Sequence, residues 1–160
     1  MKEESLEVGG RKPAPLVRPP YLFGGALAAG LIINLLKPFP FFKAKWPGVA
    51  FGPLLVVCGV LLLVWAVRTF AKSGINPRFK PVGSMMTSGP FAFTRNPMYF
   101  SFTLIYLGIA FARNTLWPVL LLLPVIAILH YGVILREEKY LEEKFGDKYR
   151  EYKVKVRRWL

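Results

Sequence analysis

The chain has 160 residues, enough for one domain, and a formal net charge of +13 from 22 Lys and Arg against 9 Asp and Glu. Apolar residues make up 54% of it, high for a soluble domain, and they fall in long uncharged blocks. The positive charge flanks those blocks, so it reads as membrane topology and attraction to anionic lipid headgroups and argues against a nucleic-acid role.

Residues 1–20 are polar and proline-rich, which predicts an irregular or interfacial tail with no evident cleavable signal peptide. Uncharged runs then cover 19–36, 46–67, 96–112 and 114–135. Each reaches the range of about 17–25 residues that a spanning helix needs. The expectation is an all-α integral membrane protein: four transmembrane helices followed by C-terminal cytoplasmic interfacial helices, in one membrane-embedded domain over 1–160. The first span is rich in small residues, Gly24, Gly25, Ala26, Ala28, Ala29 and Gly30, which lets helices approach closely. Asn34 near its end predicts an interhelical hydrogen bond. The prolines and aromatics of 37–48 predict an extracytoplasmic turn in the interface belt.

The second span holds Pro53 near its start, where proline is best tolerated. It also holds Cys58, the only cysteine, which excludes an intramolecular disulfide and reads as a small packed side chain. The Gly, Pro, Ser and Asn content of 71–90 predicts a loop, and its length marks it as functional or disordered. Only residues 112–115 join the third and fourth spans, which predicts an antiparallel hairpin. Pro118 and Pro124 predict a kink in the fourth span. Beyond Leu135 the chain turns charged, with Leu141, Phe145, Tyr149 and Tyr152 on one helical stripe. Gly146-Asp147 reads as a helix stop and a new N-cap, giving two short surface helices with a basic face toward lipid phosphate.

Four spans put eighteen of the Lys and Arg on one side and only Lys37, Lys43, Lys45 and Arg113 on the other. That asymmetry predicts a multi-pass protein with both termini in the cytoplasm.

Three features could carry chemistry. Arg95 sits at the boundary where Pro97 opens the third span. A helix N-terminus favours anions, and the guanidinium fork matches a carboxylate or phosphate; equally, Arg95 could only snorkel to lipid phosphate. Glu137 and Glu138, directly after the fourth span, could hold a cationic or hydroxyl-rich ligand, or pair with nearby Lys and Arg. His130, the only histidine, lies seven residues before Glu137 and shares its face if the helix continues. It is a functional candidate as an intramembrane ionisable group, or a hydrogen-bond partner for a neighbouring helix. No metal-ligand constellation, phosphate loop or Ser-His-Asp order stands out.

The stretch "GPFAFTRNPMY", a hairpin, and then "EEKYLEEKFGDKYREYKVKVRRW" resemble the isoprenylcysteine carboxyl methyltransferase and phospholipid methyltransferase superfamily. Its members show a Gly-Pro-aromatic turn and Arg-His-Pro-x-Tyr, then Glu-Glu, Phe-Gly, spaced tyrosines and a final Pro-Arg-Trp. The resemblance covers 88–159, which it marks as the cofactor-binding half. It implies a multi-pass enzyme that binds S-adenosylmethionine on its cytoplasmic side, with Arg95, Asn96, Pro97, Tyr99, Glu137 and Glu138 lining the cofactor site. Arg95, Glu138 and His130 are then the candidates for catalysis. Asn96 stands where many members have histidine, which puts a proton-handling role there in doubt; Arg157 stands where proline is common. Arg95 suits the cofactor carboxylate, Glu137 or Glu138 its ribose or ammonium, and Tyr99, Phe91 and Phe93 its adenine or sulfonium. Methyl transfer mainly needs nucleophile and methyl held in line. A carboxylate acceptor needs no base, whereas an amine must lose a proton, to His130 or a boundary glutamate. The acceptor is expected to be lipid-like, a phospholipid amine or an isoprenylcysteine-like carboxylate. A sterol-reductase-like enzyme using NADPH, and a non-enzymatic membrane scaffold or transporter subunit, are the alternatives.

Overall fold

The computed structural model describes residues 18–44, 46–72 and 85–159. Residues 1–17 of the predicted N-terminal tail and most of the loop after the second span lie outside the described residues, and the last two tail residues, Pro19 and Pro20, belong to the first helix. Among those described, all regular structure is helical.

Helix α1 (Pro19–Leu36) opens on two prolines, which suit a first turn because their missing N–H groups would be unpaired there. It ends at Lys37, which at φ −137° and ψ 85° has left the helical region that Pro38 disfavours in the residue before it. Asn34 does not reach another helix. Its Oδ1 accepts from the Phe39 backbone N–H at 3.1 Å, because the chain turns back over the helix end. Helix α2 (Trp46–Lys72) starts early enough that Pro53 is its eighth residue, inside the helix rather than in its first turn. Helix α3 (Pro97–Ala112) begins at Pro97 as expected. Helix α4 (Leu116–Leu129) follows a tight link.

The α3–α4 link makes the expected hairpin, yet the closest packing is elsewhere: α3 lies chiefly along α2, and α4 along α1. Glycines allow the first contact. A Cβ on Gly52 would sit 2.5 Å from the Ala112 nitrogen, and one on Gly108 would sit 2.7 Å from the Gly52 carbonyl oxygen. In α1 only Gly30 makes such an approach, against Pro118; Gly24 and Gly25 face open space.

A π turn, His130–Ile134, joins α4 to α5 (Leu135–Phe145), so the first predicted surface helix is a continuation of the last apolar one. Gly146, at φ +53, then stops α5, and α6 (Asp147–Lys155) restarts the chain as the sequence predicts, with Gly146 rather than Asp147 at the cap. Leu141, Phe145, Tyr149 and Tyr152 pack together across this break.

Among the described residues, three helices are long and apolar enough to cross a membrane: Pro19–Leu36, Trp46–Lys72 and the continuous Leu116–Phe145; Pro97–Ala112 is a shorter apolar helix. Exposed Phe51, Leu54, Val57, Leu61 and Val64 on α2, and Leu120 and Leu123 on α4, give these helices the apolar exterior that lipid requires. The inner core is Phe23, Tyr106, Leu122, Leu129 and their neighbours.

Candidate functional site

The site forms where α3 starts and α5 starts. A short 3₁₀ turn, Gly89–Ala92, leads into it. Gly89 is required there, since its φ is +61 and a Cβ would meet Thr69 Oγ1 at 2.7 Å. Phe91 is buried edge-on to Phe70 and its carbonyl accepts from the Tyr152 hydroxyl at 2.6 Å, so it packs the turn and does not face a ligand. Phe93 is exposed, beside Trp65.

Glu138 is the centre. It is only 7% exposed. Arg95 Nη1 lies 3.1 Å from its Oε1. Arg158 grips both oxygens, Nε to Oε1 and Nη2 to Oε2, each at 2.9 Å. Two guanidiniums on one carboxylate leave an excess positive charge; Arg158 is partly solvated, its side chain 31% exposed, but Arg95, at 11%, is largely buried, where unbalanced charge is costly unless an anion joins it. Arg95 shows where that anion would go. Its contact with Glu138 lacks hydrogen-bond alignment, and its Nε and Nη1 are buried donors with no acceptor. Such orphaned donors are rare in folded proteins and call for a reason.

Two neighbours register the same charges. Hydrogen bonding to Glu138 raises the Arg158 guanidinium further above its ordinary value. Burial, then the Glu138 carboxylate, pushes the Tyr149 phenol up, against a hydrogen bond from Arg95.

The other predicted residues divide into two groups. Tyr99 donates its hydroxyl to Glu137, 2.9 and 3.0 Å from the two oxygens. His130 faces Arg158, with Nη1 3.4 Å from its Nε2. The sequence reading put His130 on the face of Glu137, but the π turn changes that geometry. An i→i+5 turn, closed by the Leu135 N–H on the His130 carbonyl, takes one more residue than an α turn. Residues eight apart, His130 and Glu138, therefore converge on Arg158. Pro97 is buried at the first position of α3. Asn96 precedes it without capping the helix, and its Nδ2 donates to the Arg158 carbonyl at 3.0 Å. Sequence reasoning missed Arg158 and Thr94 as members of this cluster. Both lie inside the motifs quoted above, but no periodicity or spacing singles them out. Glu138 and Arg158 also line a cleft of about 400 Å³ with Leu135, Lys139, Glu142 and Lys153.

The family description "phospholipid methyltransferase" matches residues 47–148, well over half of the chain. The chain belongs to the phospholipid methyltransferase family. This family is part of the isoprenylcysteine and phospholipid methyltransferase superfamily, and membership points to a membrane methyltransferase. A curated relative from Haemophilus influenzae, described as an uncharacterized protein, is 63% identical over 35 residues. That match covers 22% of this chain and 56% of the relative. No solved structure matches significantly. The family match ends at residue 148, so α6 beyond its start and the Arg158 segment lie past it.

Proposed function

We propose that this phospholipid methyltransferase family member moves a methyl group from S-adenosylmethionine to a lipophilic acceptor at the cytoplasmic membrane face. The observation that carries the reading is Arg95, next to the N-terminus of α3: its buried Nε has no acceptor, and its Nη1 meets Glu138 at 3.1 Å without hydrogen-bond alignment. They fit the carboxylate of an amino-acid-bearing cofactor, which would supply a methyl group already activated on a sulfonium. Glu138 and Glu137 are the acids available to its ammonium or ribose hydroxyls.

On this reading all four apolar helices span the bilayer and both termini are cytoplasmic, as the distribution of Lys and Arg favours. The 16 residues of α3 rise only about 24 Å, less than the hydrocarbon core of about 30 Å, so on this reading Arg95 stays close to the membrane edge. The family description favours a phospholipid amine over an isoprenylcysteine-like carboxylate as acceptor. An amine has to shed a proton; Glu137, which accepts from the Tyr99 hydroxyl, and His130, whose Nε2 lies 3.4 Å from Arg158 Nη1, are the candidates to take it.

Isothermal titration in detergent tests this directly. S-Adenosylhomocysteine should bind the protein and should not bind Arg95→Ala or Glu138→Ala. Binding of NADPH instead would establish a reductase, and binding of neither would leave a scaffold. Labelled S-adenosylmethionine with a total lipid extract then identifies the acceptor by its labelled product.

A further inference from the structure

α6 ends at Val156, whose backbone is extended, and the short segment that follows bonds to both the turn that carries Arg95 and the helix that carries Glu138. The Arg95 N–H donates to the Arg157 carbonyl at 3.0 Å. The Arg158 carbonyl accepts twice, from Thr94 Oγ1 at 3.2 Å and from Asn96 Nδ2 at 3.0 Å. The Arg158 side chain holds both oxygens of Glu138. Trp159 packs against the inner core cluster that includes Leu129 and Val133. Residues some sixty positions apart are thus tied through main-chain and side-chain bonds at once.

We propose that residues 156–159 form a clamp across the cofactor site, with Asn96 and Arg158 as its positioning residues. The clamp fixes the turn that carries Arg95 against the helix that carries Glu138. It therefore sets the direction in which the free donors of Arg95 point. Asn96 acts as a hydrogen-bond donor to a carbonyl and handles no proton. That role explains why asparagine serves at a position where the resemblance expects histidine: an imidazole N–H can donate to the same oxygen. A carboxylate there would set oxygen against oxygen. The effect on the methyl donor rests on the function proposed above; the clamp itself does not.

The test compares Asn96→His, Asn96→Ala, Asn96→Asp, Arg158→Lys and Arg158→Gln. Two readouts are used in detergent-solubilised full-length protein: S-adenosylhomocysteine affinity with the KM and kcat of labelled methyl transfer, and trypsin cleavage within 153–158. Misplacing a binding group by about 1 Å can cost on the order of a hundredfold. Asn96→Ala, Asn96→Asp and Arg158→Gln should raise KM for the methyl donor at least about tenfold, more than they lower kcat, and should speed cleavage. Asn96→His should match the parent in both, and Arg158→Lys, which keeps the charge without the fork, should fall between. Thermal melting identifies any variant lost to misfolding, and the isosteric Asn96→Asp and conservative Arg158→Lys then decide. Parent-like KM and cleavage in Asn96→Asp and Arg158→Gln would overturn the clamp. If the parent protein binds no S-adenosylhomocysteine, the function reading fails and the cleavage rates alone judge the clamp. Faster cleavage in Asn96→Ala but not Asn96→His supports it, and equal cleavage refutes it.

Discussion

The two ends of the helix bundle are both tied together by contacts between residues distant in sequence, but with different chemistry. At the α1–α2 turn, the chain between Lys37 and Phe42 is bonded to the α3–α4 link. The Leu116 N–H donates to the Phe39 carbonyl, Trp117 Nε1 to the Lys37 carbonyl, and Asn114 bonds both the N–H and the carbonyl of Phe42. Phe41, Phe42 and Phe111 close over them. Each of these bonds involves a backbone group and a neutral partner, and the one buried side-chain atom left without a partner among the described residues of this turn, Thr115 Oγ1, is an uncharged hydroxyl. At the other end, Arg95, Arg158 and Glu138 are packed with charges that do not cancel and donors that have no acceptor. The ends differ in charge: a neutral, mostly main-chain turn holds a fold together, whereas an unbalanced charge cluster calls for a binding role.

Glu138→Ala is the strongest test of that contrast. It strips both guanidiniums of their acid, and breaking a buried ion pair costs about 3–5 kcal/mol. Chemical denaturation should show that loss, and methyl transfer from labelled S-adenosylmethionine should disappear. Parent-like activity would reduce the charged end to a structural pairing.

The opposite end should respond in stability alone. Gly52→Ala forces a methyl against Ala112 of α3, and overpacking of this kind costs about 1–3 kcal/mol. Asn114→Ala removes two hydrogen bonds and places a Cβ residue without side-chain support at φ +48, whereas Asn114→Gly keeps the backbone freedom and should cost less. Both Gly52→Ala and Asn114→Ala should lower the melting temperature in detergent. Below the melt their affinity for S-adenosylhomocysteine should stay that of the parent; a changed affinity would mean the ends are coupled.

Tyr99→Phe is milder. It removes one hydrogen bond to Glu137, worth about 0.5–1.5 kcal/mol or up to 3 where the partner is charged. The turnover of an amine acceptor should fall several-fold with little change in KM for the methyl donor. An equal rise in that KM would assign Glu137 to cofactor binding instead of proton transfer.

The smallest effect is in pH. Burial pushes the Tyr152 phenol up to about 12, so the folded protein favours its neutral form. The stability this contributes is whole below the ordinary value of about 10 and is lost as pH rises toward 12. Alkaline difference absorbance should therefore show no release of the C-terminal helix below pH 10. Release at pH 8 or 9 would disprove the burial of Tyr152.

The apolar helices were legible because uncharged runs of spanning length leave few other readings. Pro97 and Gly146 marked their boundaries because their backbone demands are local. What the sequence hid depends on geometry between distant residues. Nothing in the spacing of Gly48, Gly52 and Gly108 says which helix approaches, so the close packing of α2 on α3 was not foreseen. The tie between Asn114 and Phe42 spans 72 positions and leaves no pattern in either segment. In the candidate site, Arg95 and Glu138 could be singled out by their places at the ends of apolar runs. Arg158 lies in a charged tail among other lysines and arginines, and only its fork on Glu138 distinguishes it.

The π turn at His130–Ile134 gives the last long helix an unusual tolerance. Each residue of an α-helix advances the direction of its side chains by about 100°. Deleting a residue from 120–128, or adding one there, would swing Glu138 away from Arg95. Deleting Gly132 instead would let the wide turn relax into ordinary helix, leaving His130 and Glu138 seven apart and still in phase. Between the start of α4 and Glu138, the wide turn is the place where the chain should be able to shorten by one residue and keep its acid in register.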